Sequence, residues 1–71
     1  MKQNKESKKQ ILANSGYSIE VMDRLHVQMS VIDDHILTHP LVSIDEEVKD
    51  KISAALGSLM DAYQLVGSRY L

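Results

Sequence analysis

A chain of 71 residues forms one domain, and a core of that size rarely supplies more than about 3–5 kcal/mol unless a disulfide, a metal or a second chain reinforces it. There is no Cys, Phe or Trp, which excludes disulfides, Cys-based zinc sites and thiol nucleophiles, and leaves aliphatic residues, four Met and three Tyr to build the interior. The net charge of −2 is uneven: residues 1–10 carry four Lys and one Glu, whereas residues 11–71 carry four basic and nine acidic groups, so the body offers no broad basic surface for phosphate.

No apolar run approaches the roughly 18 residues of a membrane span, and the polar start lacks the apolar segment of a signal peptide. A cytoplasmic protein without membrane contact is the expectation. Residues 1–9 show no apolar periodicity and read as a basic flexible arm, with residues 10–71 as the folded domain. Lys2, Lys5, Lys8 and Lys9 make that arm a candidate contact for nucleic acid. Gln10 to Asn14 has room for one short helical turn around Ile11 and Leu12, broken by Asn14, Ser15 and Gly16.

The next helix is predicted to start at Ser18 as N-cap, with Tyr17 and Met22 placed as a hydrophobic staple. Met22, Leu25, Met29, Ile32 and Ile36 then recur at spacings of three and four, a seam on one helix face. Glu20 and Arg24 form an i, i+4 pair. Pro40 pushes His39 away from helical angles, so the helix should end near Thr38 after about 20 residues. The short connection from His39 to Val42 makes the following helix an antiparallel neighbour.

That last helix is expected from about Ile44, with Ser43 and Glu46 as a capping box, acidic residues in its first turn and Arg69 near its end. Asp45 with Lys49 and Glu47 with Lys51 are further i, i+4 pairs. Val48, Ile52, Ala55, Leu59, Ala62 and Val66 form its core seam, while Leu56, Met60, Tyr63 and Tyr70 form a second apolar line beside the first. One partner helix is too narrow for both. Ser53, Ala54, Gly57, Ser58 and Ala62 lie between these lines, and Gly57, which costs a helix about 1 kcal/mol against Ala, reads as a site of close helix packing. At about 27 residues this helix exceeds its neighbour by about 10 Å, so its last two turns, with Tyr63, Leu65, Val66, Tyr70 and Leu71, should overhang. The fold class that follows is all-α: a helical hairpin of two long antiparallel helices with a short N-terminal helical turn, assembling into a four-helix bundle as a homodimer or higher oligomer.

The candidate chemistry is sparse. His35 and His39 are four apart, as two zinc-binding imidazoles on one helix face would be, yet the Glu of an H-E-x-x-H site is missing and His39 precedes Pro40. Histidines at a helix C-terminus complement its dipole without any metal. Asp33 and Asp34 point about 100° apart, which denies them a shared substrate. No Gly-rich phosphate loop or nucleophile context is present. The expectation is no enzyme, no cofactor and no metal. Met22, Met29 and Met60 fit core packing, with an adaptable partner-binding surface as the functional alternative.

Tyr and Arg are enriched at binding hot spots, and the interface residues singled out are Leu56, Met60, Tyr63, Val66, Arg69 and Tyr70. The function expected is a small oligomeric interaction or regulatory protein with a macromolecular partner, a design of the kind found in phage and plasmid accessory or inhibitor proteins. Two alternatives differ in class. One is a nucleic-acid-binding hairpin dimer using the Lys-rich arms. The other is an oligomer that holds a small anionic ligand such as a nucleotide between subunits, near the helix starts at Ser18 and Ser43.

Overall fold

The computed structural model describes residues 7–71, the Ser15 side chain excepted, and the described residues are all-α. The helices are α1 (Lys8–Ala13), α2 (Ser15–Val31), continued by a π-helical turn (Ile32–Ile36), α3 (Pro40–Ile44) and α4 (Glu46–Tyr70). Most of the tertiary packing is between α2 and α4, which lie against each other as the two arms of a hairpin.

The first helical turn begins at Lys8, two residues before the predicted start, because Ser7 and Gln10 form a reciprocal cap: the Ser7 hydroxyl accepts from the Gln10 amide at 3.2 Å, and the Gln10 side chain accepts from the Ser7 amide at 2.9 Å. Ser18 is not the N-cap of α2. Asn14 takes that role, its Oδ1 accepting from the Gly16 amide at 3.0 Å, and Asn is among the strongest N-cap residues. Tyr17 therefore sits inside the helix, and Ser18 is 9% exposed, continuing the inward line four residues before Met22.

Between Ile32 and Ile36 the backbone widens, with the Leu37 amide donating to the Ile32 carbonyl five residues back at 2.9 Å. One extra residue per turn shifts the seam by one position. Met22, Leu25, Met29 and Ile32 are half-buried as predicted, but Ile36 is turned out and Leu37 takes its place. The path then leaves the helix, with the Thr38 hydroxyl donating to the Asp34 carbonyl at 2.6 Å, and His39 becomes the N-cap of α3 ahead of Pro40 at the first helical position.

The capping box predicted at Ser43 and Glu46 is absent. Ser43 lies within α3 and its hydroxyl donates to the Pro40 carbonyl at 2.7 Å, while Asp45 caps α4 by accepting from the Val48 amide at 3.1 Å. A carboxylate at that place also meets the positive end of the helix dipole. With Asp45 so engaged, no ion pair to Lys49 forms, and among the described residues the exposed Glu20–Arg24 pair at 3.6 Å is the one within ion-pair distance.

The predicted overhang of α4 is also absent. Starting α2 at Ser15 and counting its π turn gives 22 residues against the 25 of α4, and the Met22 side chain lies over Gly67, its terminal methyl 3.3 Å from where a Cβ would stand. Along α4 the half-buried residues are, besides Gly57 and Gly67, Ile52, Leu56, Leu59, Ala62, Tyr63 and Val66, drawn from both predicted lines, while Val48, Ala55, Met60 and Tyr70 are left exposed. α2 straddles the two lines instead of covering one.

The two long helices, α2 and α4, lie side by side as one layer, and the extents of the hairpin are 47 × 31 × 17 Å. Its radius of gyration is 15.8 Å, where a compact chain of this length would have about 11 Å.

Candidate functional site

Two open grooves flank the end of the hairpin where α2 begins and α4 stops. The larger, of about 850 Å³, is bounded by α1, α2 and α4 and is lined by Ile11, Leu12, Tyr17, Val21, Val66 and Tyr70, with Glu20 and Arg69 supplying opposite charges. The smaller, of about 380 Å³, lies among Ile19, Met22, His26, Tyr63 and Leu71, with Asp23 beside them. Both are mostly apolar, which suits contact with another apolar surface.

The geometry follows from how this end is built. Asn14 ends α1 and caps α2, so the chain turns there and α1 brings Ile11 and Leu12 toward α4. α1 has only six residues, too short to cover the last turns of α4. Leu65, Tyr70 and Leu71 remain exposed, so α1 does not tuck them away.

The six residues read from the sequence as an interface divide into two sets. Leu56, Tyr63 and Val66 are half-buried, and Tyr63 and Val66 each line a groove alongside residues of α2. Met60, Arg69 and Tyr70 are exposed, with Arg69 and Tyr70 on the rim of the larger groove. Ile19 and Val21, outside that set, are exposed and line the smaller and the larger groove, while Leu41 and Ile44 are exposed at the tip instead of folding over its end. Ile19 stands three residues before Met22 and Val21 four before Leu25, so spacing alone did not mark them as outward.

Beyond its own helical turn, nothing lies within 4 Å of where a Cβ would stand at Gly57, so no other described helix approaches it closely. The titratable side chains do not converge. No three His, Asp or Glu side chains among the described residues are grouped to hold a metal ion. His39 Nδ1 accepts from the Leu41 amide at 3.1 Å, which occupies one ring nitrogen in capping α3.

Ser18 and Ser43, the proposed anchor points for an anion, lie inside helices, and the true start of α4 is surrounded by Asp45, Glu46 and Glu47. Lys8 and Lys9 are exposed in the first turn of α1; Lys2 and Lys5 lie outside the described residues. Among the described residues no helix is long and apolar enough to cross a membrane. No protein-family model, curated protein or solved structure matches this chain.

Proposed function

We propose that this chain is a small self-associating helical interaction protein, and that it acts by presenting the open end of its hairpin to a macromolecular partner. One observation carries the reading. Among the described residues a single hydrophobic side chain, Val42, is buried, while fourteen large hydrophobic side chains are exposed. A chain that buries so little apolar surface of its own gains stability when another surface covers it, and large exposed apolar areas mark sites of association.

Domains are stabilised by two packed layers around a core, and a hairpin one helix thick has only one. A second hairpin completes the missing layer as a four-helix bundle. The grooves at the open end then form the surface left for a partner, with Tyr70 and Arg69 as anchors that combine apolar area with a polar handle.

The test is affinity capture with the tagged chain and with Tyr70→Ala, which is exposed and should leave helicity intact. The expected result is a protein retained by the original chain and depleted at least tenfold with Tyr70→Ala. Identical retention by both chains, or none by either, would overturn the assignment of this end.

A further inference from the structure

Self-association leaves open which face the second copy covers and in which direction it runs. We propose that a second copy of this chain docks antiparallel along the edge of α4 formed by Val48, Lys51, Ala55, Ser58, Ala62 and Leu65. This inference rests on the self-association reading and adds the face, the direction and the register.

The six residues follow spacings of three, four, three, four and three, which holds them in one line along a helix. All are exposed except Ala62, which is half-buried, so this line borders the side of α4 that meets α2. Ala55, Ser58 and Ala62 are small enough to let two helix axes approach to about 8 Å. On the other edge of α4, Met22 of the same chain already occupies the space over Gly67.

The charges and apolar groups along the line select the arrangement. With the two-fold axis between Ala55 and Ser58, Val48 of each copy meets Leu65 of the other, and two side chains 40% and 46% exposed in the lone hairpin cover each other, twice over. Lys51 then faces Ala62 of the second copy and comes within reach of its neighbour Asp61. Neither Lys51 nor Asp61 has an ion-pair partner among the described residues. A parallel pairing would set Lys51 against Lys51, and sliding the antiparallel register by one heptad would set Lys51 against Arg69 in one direction, like charges together in both cases. Sliding it the other way would carry Leu65 past the start of α4 and leave it without Val48.

The chain as a whole has surface to cover. The chain exposes 5854 Å², whereas a compact protein of 8.0 kDa exposes about 4,450 Å². The excess of about 1,400 Å², spread over the whole chain, is of the order that one partner contributes to an interface, roughly 800 Å².

The absence of Cys allows a direct test, since a single Cys placed at Ser58 or at Arg69 gives one spin label per chain. In the proposed pair the two Ser58 labels are offset by only about 4.5 Å along the axis, and the two Arg69 labels by about 37 Å. A short distance at Ser58 with a long one at Arg69 is the expected result. A short distance at Arg69 means a parallel pair, and a long distance at Ser58 means another face; either overturns the inference while leaving self-association standing. A chain that stays at the mass of one copy removes both.

A charge exchange supplies a readout that does not depend on labels. Lys51→Asp should weaken self-association about tenfold at low salt, and adding Asp61→Lys should restore it. Failure of the double variant to recover overturns the register.

Discussion

At the tip of the hairpin, Val42 is 8% exposed and is the most buried hydrophobic side chain among the described residues, whereas at the open end Tyr70 is 53% exposed. The backbone is equally well served at both places. His39 and Asp45 cap α3 and α4 at the tip, and Asn14 caps α2 at the open end. The difference lies in coverage. Three elements converge at the tip, namely the π turn, α3 and the start of α4, while at the open end α1 is too short to close over its neighbours. Local hydrogen bonding is therefore enough to shape the chain, but burial requires a second layer.

The largest effect expected is from Leu59→Asp, which places a carboxylate on the half-buried line of α4 that meets α2. A partly desolvated carboxylate without a partner, together with the lost apolar contact, takes a large share of the about 3–5 kcal/mol that a core of this size supplies, so helicity measured by far-UV circular dichroism should fall sharply. An unchanged spectrum would mean that this line is not the seam. Next, Val42→Ala should cost about 1.5 kcal/mol in urea unfolding, whereas Tyr70→Ala, which removes little coverage within the chain, should fall within about 0.5 kcal/mol. Equal losses would erase the distinction between the two ends.

A smaller effect separates the two candidate caps of α4. Asp45→Ala should cost about 1 kcal/mol in the same measurement, and Ser43→Ala less than about 0.5 kcal/mol. The reverse order would restore the cap predicted from the sequence. The smallest effect is a gain: Gly57→Ala meets open space and should add up to about 1 kcal/mol, while Gly67→Ala must displace the Met22 methyl and should add less.

Periodicity made the architecture legible. The seam from Met22 to Ile32 and the inward positions Ile52, Leu59 and Val66 follow from spacing alone, because burial of one helix face leaves a three-four pattern in the sequence. Pro40 likewise marked the reversal of the chain. Cap identities were less legible, since Asn14 and Ser18, or Ser43 and Asp45, are chemically interchangeable as N-caps and only the position of the turn chooses between them. The exchange of Ile36 for Leu37 was hidden because nothing in the local pattern announces one extra residue in a turn. The split of the six interface residues into half-buried and exposed sets depended on how α2 rotates against α4, which spacing within α4 does not record.

The central claim is that this single-layered hairpin is covered by another chain. Sedimentation equilibrium over a range of concentrations addresses it most directly. A mass of at least twice 8.0 kDa that falls toward 8.0 kDa on dilution is the predicted result. A particle of 8.0 kDa at every concentration, still helical and unfolding cooperatively, would contradict the account.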